Sequence, residues 1–295
     1  MKETIDMTGK ICIVTGSNSG IGKTTALALA EMGATVVMIV RNPEKGEAAR
    51  QEIIEHSGNE SVEMLVADLS SMEEVRRVAE EFKNNYPKLD VLVNNAGGLL
   101  NKHHTTADGN ELTFAINHLA PILLTHELLN SLEAGAPSRV VNVSSGAHNM
   151  GKIDFDNLQS EKGYSSFRAY SNAKLMLVMT TYEFARRLEG TGISVNALHP
   201  GFVRTNFGKG DADFGRKLLF RLSAPFAKNS KKGSETQVYL ASSPEVNGIT
   251  GQYFSNKKAH KSSKISYDVE LQKNLWRRTE EILGSSLVHR VIQKS

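Results

Sequence analysis

The 295-residue chain has one cysteine, Cys12, so it cannot form an internal disulfide. Its place inside the apolar run ICIVT at 11–15 reads as a buried structural thiol. Long hydrophobic runs are also missing. The longest, such as TVVMIV at 35–40, fall far short of the roughly 20 residues that span a bilayer. The first ten residues, MKETIDMTGK, lack the apolar stretch of a secretory signal, which sets the expectation of a cytoplasmic protein. Charge of one sign is scarce as well: 35 basic against 32 acidic residues leave +3, and this excludes nucleic acid as an expected partner. Basic residues gather only locally, at Lys209–Lys232 and at Lys257, Lys258, Lys261 and Lys264, where solvated surface is the default reading. Metal-binding patterns are absent. His103 and His104 stand alone, His126-Glu127 is followed by Leu, Leu and Asn rather than x-x-His, and no cysteine cluster exists.

What is present is an alternation. Short Val/Ile-rich runs at 11–15, 35–40, 62–66, 89–93, 139–143 and 193–198 read as strands buried on both faces, with a seventh at 252–254. Between them, 21–32, 44–55, 72–84, 112–132, 167–188 and 233–241 carry apolar residues at three- and four-residue spacing. This pattern predicts an α/β fold: a single-domain, Rossmann-type, doubly wound parallel sheet with helices on both faces. No Pro/Gly/Ser-rich linker or repeat interrupts it, so 1–295 reads as one domain with a helical tail at 266–295. The irregular stretch 202–232 follows the sixth strand and is expected to form a substrate lid; its amphipathic pattern leaves a weak membrane-surface contact open.

The first strand runs into Thr15-Gly16-Ser17-Asn18-Ser19-Gly20-Ile21-Gly22, and a helix starts at once. Glycines allow a tight turn and close backbone approach to a pyrophosphate, whose charge the helix N-terminus stabilises. Tyr-x-x-x-Lys occurs twice. Tyr170 and Lys174 lie in a predicted helix, where residues four apart share a face. Tyr253 and Lys257 lie in a strand-like segment, about 13 Å apart along it, and read as a chance match. A cation beside the Tyr170 phenol is expected to lower its pKa and make it a usable acid/base. Ser144 and Ser145 both compete to hold the substrate oxygen. At the end of the second strand, where an acidic residue would select NAD, stands Arg41, followed by Asn42 with Lys45 nearby; this points to a 2′-phosphate and NADP(H).

The spacing T-G-x-x-x-G-x-G at the start of the chain resembles the short-chain dehydrogenase/reductase family. Further matches follow in that family's order: Asp68-Leu69, Asn94-Asn95-Ala96-Gly97, Asn117, Ser144-Ser145, Tyr170 to Lys174, and Pro200-Gly201 with Val203 and Thr205. The resemblance implies Asn117, Ser145, Tyr170 and Lys174 as the catalytic set, Ser145 being preferred over Ser144 by the Ser-Ser-x-Ala pattern. It implies cofactor contacts from Gly16, Asn18, Ser19, Gly20, Ile21, Gly22, Arg41, Asn42, Asp68, Leu69, Asn95, Ala96, Gly97, Tyr170, Lys174, Pro200, Gly201, Val203 and Thr205. Stretches such as Asn42-Pro-Glu-Lys-Gly-Glu47 and Asp156-Asn-Leu-Gln-Ser-Glu161 are most similar to the retinol dehydrogenase-like branch. The expected activity is interconversion of a small apolar aldehyde or ketone with its alcohol. A non-catalytic NADP-binding regulator or scaffold is the rival reading, and assembly into a homo-oligomer stays open.

Overall fold

Apolar residues in the predicted strands alternate between two cores. The computed structural model describes residues 5–201 and 230–287. In it the expected strands form as β1 (Ile11–Thr15), β2 (Thr35–Val40), β3 (Val62–Val66), β4 (Val91–Asn94), β5 (Ser138–Val143), β6 (Ile193–Leu198) and β7 (Tyr253–Ser255), all parallel. An eighth strand, β8 (Lys258–His260), lay outside the expectation and makes the sheet mixed, because it pairs antiparallel with β7. The hairpin turns through Asn256 and Lys257, both at positive φ (51° and 60°), the conformation that two-residue hairpin loops demand. The order is β3-β2-β1-β4-β5-β6-β7-β8. It reverses direction between β1 and β4, and doubly wound sheets bind ligands beyond the strand ends at such a point.

Helices α1 (Gly20–Glu31), α2 (Pro43–Ser57) and α3 (Met72–Asn85) follow the first three strands. Asn42 caps α2 by accepting from Lys45 N–H at 2.8 Å. Later come α7 (Ser166–Arg187), α8 (Ser230–Ser242) and α9 (Val269–Leu283). Cys12, Val14, Met38 and Val40 pack towards Leu29 of α1, Ile53 of α2 and Leu240 of α8. Ile13, Val37 and Ile39 face the other way, into a core with Phe82 of α3, Phe184 of α7 and Trp276 of α9. Phe184 and Trp276 meet edge to face at 4.7 Å, and Arg187 lies 4.5 Å over the Trp276 ring, which docks the tail helix.

The single helix expected at 112–132 is a correction. It divides into α4 (Leu112–Phe114), a π-helical turn (Ala115–Leu119), α5 (Ala120–Glu127) and α6 (Leu129–Ala134). Within the widened turn Asn117 Nδ2 donates to the Thr113 and Gly98 carbonyls, each at 2.8 Å, so a side chain takes over a carbonyl of the regular ladder. The expected lid lies outside the described residues as far as 229, as do Val203 and Thr205; residues 230–232 open α8. No described helix is long and apolar enough to cross a membrane.

His118, in the same π turn, is fully buried and ties it to the tail. Thr279 spends its hydroxyl proton on the Leu275 carbonyl, so its oxygen accepts His118 Nε2–H at 3.0 Å. Burial drives the imidazole down to about 3, against an ordinary 6.5. Below pH 6.5 the unfolded chain therefore binds a proton that the folded chain refuses, and stability falls as pH falls towards 3, by up to ~1.4 kcal/mol per unit. His118→Gln, neutral throughout, should flatten that part of the acid dependence in urea melts at pH 4 to 7; a difference between variant and wild type that does not change with pH contradicts the assignment.

Candidate active site

The glycine loop is built by close approach. Gly16 and Gly20 hold φ of 65° and 59°. A Cβ on Gly22 would stand 2.4 Å from both the Gly16 carbonyl oxygen and Asn95 Nδ2, so no other residue fits there without a shift. Asn95 itself binds the end of β1: its Nδ2 donates to the Thr15 carbonyl at 2.8 Å, while Thr15 Oγ1 accepts Asn95 N–H and Ala96 N–H, both at 2.9 Å. The ends of β1 and β4 are thereby locked side by side. Ser19 makes no side-chain cap to α1 and the first turn carries no acid, so α1 supplies no anion to its own N-terminus. A cradle of this shape and polarity fits the pyrophosphate of a dinucleotide. Asn18, Ser19 and Ile21 stand on its rim, and Leu69 packs into the core beneath Ala96.

At the end of β2 the Arg41 side chain is 72% exposed and lies 4.0 Å from Asp68, a weak surface pair. The Asn42 carboxamide oxygen is occupied in capping α2. Pro200 and Gly201 follow β6, with Gly201 N–H donating to His199 Nδ1 at 3.0 Å.

The remaining candidates converge where β4 and β5 end. Lys174 is buried and donates to the Val143 carbonyl at 2.8 Å; its Nζ lies 5.8 Å from the centre of the Tyr170 ring. A Cβ on Gly97 would meet Asn117 Oδ1 at 2.6 Å and Lys174 Nζ at 3.1 Å, so the bare glycine keeps a small gap between the two. The serines divide. Ser144 is buried and donates to the Lys174 carbonyl at 2.9 Å, while Ser145 is hydrogen-bonded to the Tyr170 phenol and accepts Ala147 N–H at 3.2 Å. The expected lowering of the phenol pKa is absent here. Burial pushes Tyr170 up to about 12, with the Ser145 hydrogen bond acting in the opposite direction, and burial brings Lys174 down to about 7.

An aromatic cluster beside the site escaped the sequence reading. Tyr253, set aside with its chance Lys257 partner, packs its ring 4.7 Å from His148 and 6.0 Å from His199. Lys257 sits in the hairpin turn rather than on a helix, and its backbone N–H donates to Thr236 Oγ1 of α8 at 3.2 Å. Periodicity carries no signal for this: the contact exists because β7 pairs beside β6.

Lys174 forms no salt bridge among the described residues. Its folded pKa lies below its unfolded value, so its contribution to stability grows as pH rises from about 7 to 10.5 and is lost as pH falls back to 7. Lys174→Met, which removes one buried hydrogen bond and one buried charge, should cost no more than ~1 kcal/mol at pH 7 and should weaken the gain in stability towards pH 10. A loss above about 3 kcal/mol in urea melts contradicts a role held against stability.

Known proteins of similar sequence and fold identify the family. A family profile described as short chain dehydrogenase matches residues 10–213. Human retinol dehydrogenase 12 is 40% identical over 283 residues, covering 96% of this chain and 89% of that one. A crystal structure from Mycobacterium Paratuberculosis superposes with TM-score 0.79 at 30% identity, covering 97% of both chains. The Pseudomonas aeruginosa RhlG/NADP active-site complex gives TM-score 0.69 at 27% identity, covering 86% of this chain and 97% of that one. The chain belongs to the short-chain dehydrogenase/reductase family.

Proposed function

We propose that the chain is an NADP(H)-dependent oxidoreductase that reduces an apolar aldehyde or ketone to the alcohol. The observation that carries this reading is the convergence of Ser145, Tyr170, Lys174 and Asn117 beside the glycine loop, at the ends of β4 and β5. Bound there, the nicotinamide supplies the hydride. The protein's part is to place the carbonyl and deliver a proton. The Ser145 hydroxyl holds the substrate oxygen, and the Tyr170 phenol gives it a proton as charge develops. A phenol raised to about 12 is protonated at neutral pH and so carries the proton that reduction requires. The Lys174 ammonium is assigned to the nicotinamide ribose and to stabilising the phenolate left behind. Asn117 is assigned to a water-linked proton path across the gap that Gly97 leaves.

Arg41 supports NADP(H): an exposed guanidinium at the end of β2 suits a 2′-phosphate, and the related Pseudomonas aeruginosa structure is a complex with NADP. The apolar substrate class rests on the similarity to retinol dehydrogenases. The rival regulator or scaffold reading is disfavoured because all four catalytic candidates are present and three of them are buried.

Two variants test the assignment. Tyr170→Phe should lower NADPH-dependent reduction of a panel of apolar carbonyls by at least about 10² while NADPH still quenches protein fluorescence; near wild-type turnover refutes the proton donor. Arg41→Asp should move the ratio of kcat/KM for the two cofactors towards NADH, and a wild type that already prefers NADH overturns the cofactor assignment.

A further inference from the structure

A buried histidine just beyond Ser145 has no part in the chemistry above. His148 lies in the 3-10 turn Gly146–Met150 and is 1% exposed. Both ring nitrogens have partners whose roles are fixed by chemistry. The Ser263 backbone N–H, 3.1 Å from Nε2, can only donate, so Nε2 is an unprotonated acceptor. The ring proton therefore sits on Nδ1, 2.7 Å from the Ser145 carbonyl oxygen, which can only accept. The same carbonyl also accepts the His148 backbone N–H at 3.1 Å. The Tyr253 hydroxyl oxygen, 3.4 Å from Nδ1, offers a weaker second acceptor. The imidazole is thus a neutral bridge with one end on the catalytic loop and the other on the segment after β8.

That segment is ordered by its own polar network. The Ser262 hydroxyl lies 2.6 Å from both the Tyr182 and Ser266 hydroxyls, and Ser262 N–H donates to the Tyr267 hydroxyl at 3.0 Å. Tyr182 and Tyr267 stack at 5.4 Å. Lys261, Ser262, Lys264 and Tyr267 line a cavity of about 460 Å³. Through Tyr182 on α7 and Ser263 on His148, the wall of this cavity is joined to the element that carries Tyr170 and to the loop that carries Ser145.

We propose that His148 is a positioning residue for Ser145: in its Nδ1–H form it fixes the Ser145 main chain, and with it the direction of the serine hydroxyl, and it holds that loop in register with the 262–267 segment. The proposal rests on the reductase reading for its effect on rate, although not for the structural coupling. Its consequence is that the two ring nitrogens are separable. Asn reproduces a donor near the Nδ1 position and Gln an acceptor near Nε2.

The experiment compares His148→Asn and His148→Gln in the full chain, with NADPH and a medium-chain aliphatic aldehyde. His148→Asn should keep kcat within about threefold. His148→Gln should lower kcat about 10- to 100-fold with the NADPH dissociation constant unchanged. Equal losses in both variants that follow Tm, or no loss in either, overturn the proposal. Two further readouts do not depend on turnover. In ¹⁵N-imidazole spectra of the wild type at pH 7, Nδ1 should be protonated and Nε2 pyridine-like. The Ala147 amide, which donates to Ser145 Oγ at 3.2 Å, should exchange at least tenfold faster in His148→Gln than in His148→Asn. The opposite tautomer, or equal exchange, refutes the positioning role. A wild type that reduces no carbonyl refutes the reductase reading by itself and leaves the spectra and the exchange rates to decide on His148.

Discussion

Three consecutive residues at the end of β5 are bonded to one helix, and the arrangement of the site depends on that seam. Asn142 Nδ2 donates to Thr181 Oγ1 at 2.9 Å, the Val143 carbonyl accepts Lys174 Nζ at 2.8 Å, and Ser144 Oγ donates to the Lys174 carbonyl at 2.9 Å. Asn142 also accepts from Asn94 of β4 at 2.9 Å, which extends the seam across the sheet. All of these groups are buried, where an unpaired polar atom is penalised by about 1–3 kcal/mol, so α7 has one acceptable position along β5. Ser145 comes next in the chain, and in that position it meets Tyr170. The pairing of serine and tyrosine is thus a consequence of how the helix is seated.

Burial at this seam works against the charges it holds. Lys174 is brought down to about 7 and Tyr170 up to about 12 because both are desolvated, and a lysine Nζ that lies 5.8 Å from the ring centre and is bonded to the Val143 carbonyl does not reverse this for the phenol. The nearby cation is visible in the sequence as a residue four positions on, whereas the loss of water around the phenol exists only in the folded chain. Opposed shifts in adjacent groups are a common mark of a site held for function rather than for stability.

Much of the fold was legible because its signals are local. Continuous apolar strands, helices of 12 to 22 residues and a glycine loop between β1 and α1 can each be read from a short window. Tyr170 and Lys174 were legible for the same reason, being four apart on a helix. Some misreadings arose where a contact is remote in sequence: within the π turn at 115–119 Asn117 bonds the Gly98 carbonyl, and Tyr253 packs on His148 because β7 lies beside β6. β8 was missed for a local reason, a turn in which two non-glycine residues adopt positive φ. Ser144 and Ser145 were indistinguishable by residue type and are separated in space by their partners.

The central claim, that these buried groups serve hydride transfer to an apolar carbonyl, is tested most directly by following the hydrogen itself. NADPH deuterated at the transferable C4 position should yield, from an apolar aldehyde, an alcohol bearing one deuterium on the carbinol carbon by mass spectrometry, and Tyr170→Phe should yield almost none. Alcohol formed without deuterium, or no alcohol from any apolar carbonyl with either nicotinamide cofactor, would contradict the account.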